Sequence, residues 1–196
     1  MITAGEGIEL LRIARRSLEE RLRMSRDYQP SRPVSPVSAG PQGAFVTLYE
    51  FPKKRLRGCI GRIESEWPLG ETVARMAVES ALRDPRFEPV TLPELSRLVI
   101  HVSALSPLVR VKDEAGVVIG RHGVVLRARG RTGVFLPEVP VEQGWDAVQM
   151  LDRLCTDKMG LPGDSWREDG AVMQIFESEL FSEEAPGNPG TGKAEK

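Results

Sequence analysis

The sequence is poor in the residues that build metal centres and disulfide frameworks. It has 2 cysteines and 2 histidines among 196 residues, without CxxC or HxxxH spacing, so we expect no zinc or iron–sulfur site. The CxxxCxxC signature of radical-SAM enzymes is missing as well. Because the N-terminus lacks the basic start and apolar core of a signal peptide, we expect a cytoplasmic protein with both thiols reduced.

Long apolar runs, an excess of one charge and nucleotide-binding glycine motifs are also missing. No apolar segment approaches the length of a membrane span, so we expect no membrane partner. The net charge of −1 gives no global attraction to nucleic acid. Aromatic residues make up 6% of the chain, which leaves few stacking platforms for RNA. No predicted strand leads into a GxGxxG or P-loop, and we expect no cofactor.

Hydrophobic periodicity predicts helices and strands that alternate irregularly. The strands cluster as hairpins, which favours an α+β fold with a central, largely antiparallel sheet flanked by helices. We expect a loop at 29–43 and a disordered C-terminal tail at 182–196, because both are rich in proline, glycine and small or charged residues. The predicted helices are 6–23, 68–83 and 142–158, and the predicted strands are 44–50, 55–63, 97–105, 116–119, 123–128, 133–136 and 171–181.

The most informative segment is LRGCIG at 56–61, in which Cys59 lies between Gly58 and Gly61. Glycines allow close approach of a partner to the backbone. Arg57 and the cations before it favour a reactive thiol or an anion site at this point. The alternative is that Cys59 is a small buried apolar side chain, as free cysteines often are.

Several further segments follow LRGCIG in a fixed order. They are DPRFEPV (84–90), Glu94-Leu95, VSALSP (102–107), GRHGVVL (120–126), FLPEV (135–139), GWD (144–146) and GLPGDSW (160–166). On these segments the chain resembles the AMMECR domain family, whose bacterial and archaeal members are called AmmeMemoRadiSam system protein A. The resemblance implies one domain over residues 1–181, made of two lobes with the LRGCIG segment near the groove between them. It also implies a Memo-like protein and a radical-SAM protein as partners, and a role in RNA modification.

The favoured function is that of an accessory or binding component with a ligand or partner groove around LRGCIG. A structural interpretation stands beside it for the DPRF segment, in which Asp84 accepts from local backbone amides, Phe87 packs and Arg86 forms an ion pair. The candidate groove residues are Arg57, Gly58, Ile60, Gly61, Asp84, Arg86, Phe87 and Glu94.

Two other functions stay open. A thiol-dependent enzyme would use Cys59 as nucleophile and His122 as its base, oriented by Asp84 or Glu94; His101, in the middle of a predicted strand, receives little weight. RNA binding would use a local basic face. Its residues would be Lys53, Lys54, Arg55, Arg57, Arg121, Arg127, Arg129 and Arg131.

Overall fold

The computed structural model describes residues 2–31, 34 and 39–190, and the chain forms two compact units. The first unit comprises the chain up to Leu105 together with the stretch from Glu179 onward, and the second is Ser106–Ser178. In the described part of the chain, every helix is too short or too polar to traverse a lipid bilayer.

The first unit is a four-stranded sheet with helices packed on it. Its elements are α1 (Ala4–Met24), β1 (Ala44–Glu50), β2 (Arg55–Arg62), α2 (Leu69–Leu82), α3 (Leu92–Leu95), β3 (Leu98–Leu105) and β8 (Ser178–Ser182). The strand order is β2-β1-β3-β8, and β1 pairs antiparallel with both β2 and β3. Helix α2 contacts β1 and β2, while α1 contacts α2 and β3.

Alternation along the strands divides this sheet into two faces. Val46 and Leu48 of β1 and Ile100 of β3 are fully buried in the core shared with α1 and α2. The intervening side chains, such as Thr47 and His101, are half-buried on the opposite face. Side chains two residues apart in a strand share a face, which explains this division.

The second unit contains its own sheet. Its elements are β4 (Val109–Val111), β5 (Gly123–Ala128), β6 (Arg131–Phe135), α4 (Glu138–Gln143), α5 (Ala147–Arg153), a π-helical turn (Leu154–Met159) and β7 (Val172–Phe176), with 3-10 turns at Glu114–Gly116 and Gly163–Arg167. The strand order is β4-β7-β5-β6, with antiparallel pairing throughout. Val124, Leu126, Met150 and Leu154 are fully buried in its core.

The α+β class with antiparallel strands is confirmed, but the strands form two sheets rather than one central sheet. The predicted strand 171–181 is interrupted at Glu177, so that β7 joins the second sheet and β8 the first. At the break, the Glu177 backbone N–H donates to the Ser106 hydroxyl at 3.0 Å. The Ser106 N–H donates in turn to the Glu177 carbonyl at 2.9 Å. Residues 106 and 177 therefore lie side by side where the chain passes between the units.

Three other boundaries differ from the prediction. The segment 116–119 is not a strand, because a 3-10 turn capped by Asp113 ends there. The short strand β4 was missed, since three residues are too few for a periodic pattern. The predicted helix 142–158 is divided at Gly144, which adopts a φ of 67° at the end of α4, and α5 begins after its N-cap Asp146.

The predicted loop and tail lie partly outside the described residues, which exclude 32–33, 35–38 and 191–196. Where the tail is described, Ser182 ends β8 and Glu183 is buried. The Glu183 carboxylate pairs with Arg15 of α1 and accepts the Ile100 N–H at 2.9 Å. Residue 183 is therefore part of the first unit's packing, and disorder beyond residue 190 stays a prediction.

Candidate functional site

Cys59 lies on β2, the edge strand of the first sheet, and faces away from the core. The register pairs Thr47 of β1 with Cys59 on one side and with His101 of β3 on the other. These three side chains form one line across three adjacent strands, which we call the Cys59 row. The row is on the face opposite α1 and α2, because the flanking residues Val46 and Leu48 are buried against those helices.

The Cys59 thiol is half-buried, and its sulfur is hydrogen-bonded to a neighbour in the row. The Thr47 hydroxyl donates to Cys59 Sγ at 3.1 Å. The Cys59 N–H points to the loop after α2 rather than to β1, as expected for a non-hydrogen-bonded pair whose side chains lie close together. Cys155, by contrast, is fully buried in the second core, and burial raises the pKa of its thiol. The buried apolar role therefore belongs to Cys155 and not to Cys59.

Asp84 and Arg86 together hold the backbone of Cys59. The buried Asp84 carboxylate accepts the Cys59 N–H at 2.8 Å and two Arg86 side-chain bonds at 2.7 and 2.9 Å. Arg86 Nη2 also donates to the Cys59 carbonyl at 3.3 Å. Hydrogen bonds from Arg86 and from the backbone N–H groups hold the pKa of Asp84 well below its usual range. Both free backbone groups of the edge residue are thereby satisfied.

The glycines of LRGCIG permit close packing. A Cβ at Gly58 would collide with the carbonyl oxygen of Ser80 in α2, and one at Gly61 would collide with the Phe45 ring. The Ser80 hydroxyl fills the same junction, because it accepts the Ile60 N–H at 2.8 Å and donates to the Val46 carbonyl at 2.7 Å. Helix α2 therefore lies directly on β2 at this point.

The largely buried Arg57 forms an ion pair with the partly exposed Glu94 beside the row. Arg57 Nε donates to Glu94 Oε1 at 3.1 Å, and the Arg57 side chain is 12% exposed. Burial raises the pKa of Glu94, but the hydrogen bonds from Thr91 and Arg57 outweigh it and hold the pKa below its usual value. Arg57 Nη1 is buried and has no hydrogen-bond partner among the described residues.

The remaining groove candidates, Ile60 and Phe87, are both half-buried. The Phe87 N–H donates to the Asp84 carbonyl at 3.1 Å, and the Arg86 guanidinium lies 5.5 Å from the Phe87 ring centre. The DPRF segment thus forms a compact turn next to Cys59. The use of these residues by a ligand stays a prediction.

The two histidines lie in different units and in different surroundings. Burial, with the nearby charge of Lys54, lowers the pKa of His101, so its ring is neutral at pH 7; it packs edge-on against Tyr49 at 4.8 Å between ring centres. His122 belongs to the second unit, where its Nδ1 accepts the Val118 N–H at 3.1 Å. Because Nδ1 accepts in this bond, the ring proton is on Nε2. The Cys59–His122 pair stays a prediction.

Most arginines of the predicted basic face have partners within the protein. Arg55 binds Glu50 at 3.0 Å. In the second unit, Arg121 binds Glu177 and Arg129 binds Glu168, each at 2.8 Å, while Arg127 binds Gln174 and Arg131 binds the Met159 carbonyl. These bonds occupy guanidinium groups that RNA phosphates would need, and RNA binding stays a prediction.

Sequence reasoning missed the contributions of Thr47 and His101. Both are ordinary strand residues in the sequence, and only the pairing register places Thr47 beside Cys59 and His101 beside Thr47. Among the described residues, no group of three or more histidine, cysteine, aspartate or glutamate side chains is placed to hold a metal ion.

Comparison with known proteins gives matches over nearly the whole chain. The family model described as AMMECR1 matches residues 11–181. Protein MK0488 of Methanopyrus kandleri is 37% identical, with 96% of this chain and 93% of the relative covered. Protein PH0010 of Pyrococcus horikoshii is 38% identical over 92% of this chain and 91% of its own. The crystal structure of PH0010, described as an uncharacterized protein, superimposes with a TM-score of 0.78 at 37% identity and 96% coverage of both chains.

Proposed function

Since this chain belongs to the AMMECR1 family, we propose that it is an accessory or binding component of an AmmeMemoRadiSam-type system, with its ligand or partner surface around Cys59. The observation that carries the proposal is that Cys59 has a fixed backbone and an accessible side chain. Asp84 and Arg86 fix its backbone, yet its thiol remains half-exposed. A side chain that is held rigidly and still accessible is suited to contact a partner with little loss of conformational entropy.

We favour binding over catalysis, because the group at the sulfur is the Thr47 hydroxyl, which is too weak a base to take the thiol proton. Among the described residues, no imidazole or carboxylate is hydrogen-bonded to this sulfur. The surface therefore presents a half-exposed sulfur beside the cationic Arg86.

We take the Memo-like protein and the radical-SAM protein of the system as the proposed partners. The test is a binding measurement by biolayer interferometry with each partner purified from the same genome. Wild type is compared with Cys59→Ser and with protein whose Cys59 carries a bulky maleimide. We expect binding to survive the isosteric serine and to be lost with the adduct.

The matched control carries the same maleimide on α1, at Arg12→Cys in a Cys59→Ser background. Arg12 has a side chain that is 66% exposed and lies on a helix packed against the other face of the sheet. This adduct is expected to leave binding unchanged. Absence of binding to both partners, or binding that tolerates the Cys59 adduct, would overturn the proposal.

A thiol-dependent enzyme is the second candidate, favoured by the neutral His101 in the same row. Its imidazole is two strands from Cys59, with Thr47 between them. A neutral imidazole is able to accept a proton, and the Thr47 hydroxyl lies between the two groups. This candidate predicts a thiol-dependent activity that Cys59→Ser abolishes. Partner binding survives Cys59→Ser under the binding proposal, so the loss of an activity is the result that separates the two candidates.

A further inference from the structure

A polar pocket of about 490 Å³ lies in the first unit, between the C-terminal end of β2 and one side of α2. Gly61 and Arg62 of β2 line it, as does Trp67, which immediately precedes the N-cap of α2. Two candidate groove residues, Ile60 and Gly61, line this pocket, whereas Cys59, Asp84 and Arg86 do not. The pocket therefore lies along α2 and not at the Cys59 row, and the inference drawn from it does not rest on the function proposed above.

The described lining of this pocket contains four arginines and three carboxylates. Three of the arginines are neutralised by one carboxylate each: Arg21 by Asp27, Arg75 by Glu71 and Arg83 by Glu79. Arg62 is the fourth. Its exposed side chain has neither an ion pair nor a hydrogen bond within the described ranges, and its guanidinium lies 5.1 Å from the centre of the Trp67 ring. The pocket thus carries one uncompensated positive charge.

The groups around Arg62 are already held in place. Trp67 is fixed by its backbone N–H, which donates to the Ser65 hydroxyl at 3.1 Å, and by the Arg75 guanidinium, 4.2 Å from the ring centre. Arg75 is held in turn by Glu71 at 2.8 Å. The Trp67 ring therefore offers Arg62 a fixed surface, which lowers the entropy lost when Arg62 binds a ligand.

We propose that this pocket binds a small organic anion, whose carboxylate or phosphate group is held by Arg62. A guanidinium presents a planar set of donors that matches either oxyanion. The volume lies within the range of small-molecule sites and greatly exceeds that of a single inorganic ion, so the anionic group belongs to a larger ligand.

The test is an NMR titration that follows the indole N–H of Trp67, assigned with Trp67→Phe. The probes are inorganic phosphate, adenosine monophosphate, citrate and uncharged adenosine, all at constant ionic strength. We expect saturable shifts with the anions and none with adenosine. A response to the phosphates alone identifies a phosphate site, and a response to citrate alone identifies a carboxylate site.

Arg62→Gln is expected to weaken the binding of the responding probe about tenfold. The matched control is Arg23→Gln, which removes the same charge. Arg23 is an exposed residue of the same unit and lies outside this pocket. The control should change the affinity less than about twofold. The proposal is overturned if no anion gives a saturable shift, if adenosine binds as well as its monophosphate, or if Arg62→Gln and Arg23→Gln behave alike.

Discussion

The carboxylate of Asp84 accepts the backbone N–H of Cys59 at 2.8 Å, across 25 residues of sequence. This bond joins the loop after α2 to the edge strand that carries the thiol. Arg86 completes the junction by binding both the Asp84 carboxylate and the Cys59 carbonyl. The position of the thiol therefore depends on a short polar loop as well as on the sheet.

Replacement of Asp84 by asparagine is expected to destabilise the protein by about 2 kcal/mol, because a buried acceptor of charge-assisted hydrogen bonds is lost. Chemical denaturation monitored by circular dichroism measures the change. Asp169→Asn alters an exposed aspartate and should change stability by less than about 0.5 kcal/mol. Equal effects of the two substitutions would contradict the role assigned to Asp84.

The same carboxylate should make stability depend on pH in the acid range. Its folded-state pKa lies below its ordinary value, held there first by the Arg86 hydrogen bonds, so the unfolded chain binds more protons than the folded one near pH 4. Its contribution is complete above about pH 4 and is lost as the pH falls toward the folded pKa. The stability difference between wild type and Asp84→Asn should shrink below about pH 4, and a constant difference would refute the assignment.

The two thiols should differ sharply under native conditions. Cys59 is half-buried and Cys155 is fully buried, and burial raises the pKa of Cys155. Iodoacetamide should therefore label Cys59 in the folded protein and Cys155 only after unfolding, as mass spectrometry of the peptides can show. Native labelling of Cys155, or protection of Cys59, would contradict the described burial.

His122→Ala is expected to leave the rate of Cys59 alkylation within about twofold of wild type. His122 Nδ1 is engaged by the Val118 N–H, so the ring is a donor at Nε2 rather than a base. The rate is measured from pH 6 to about pH 9 in a Cys155→Ser background. A slower reaction in the variant would instead support the predicted Cys59–His122 pair.

The hairpin around Cys59 could be predicted from sequence, whereas the surroundings of the thiol could not. Alternating side chains indicate that Thr47 and Cys59 lie in strands, but alternation does not determine which residues face each other. The placement of His101 beside Thr47 depends on a third strand 42 residues beyond Cys59. Long-range pairing of this kind leaves no local signal in a single sequence.

The sequence did not predict the division into two sheets, again because it depends on long-range pairing. The sequence predicts one continuous strand over 171–181, because no glycine or proline interrupts this segment. The break depends on the pairing of Glu177 with Ser106, which is distant in sequence. The α+β class follows from composition and hairpins, but the partition of strands follows from tertiary contacts.

The sequence suggests that Gly58 gives a partner access to the backbone, whereas in the structure Gly58 lets α2 pack closely on β2. Substitution of Gly58 tests this packing role. Its missing side chain makes room for the Ser80 carbonyl of α2, so Gly58→Ala should push α2 from β2 and cost about 2 kcal/mol. Gly5→Ala is the matched control, because no atom lies within 4 Å of its added Cβ and alanine favours the helix by up to about 1 kcal/mol. Opposite signs of the two effects in denaturant unfolding would show that Gly58 is required for packing. A tolerated Gly58→Ala that nevertheless prevented partner binding would assign this glycine to the contact surface instead.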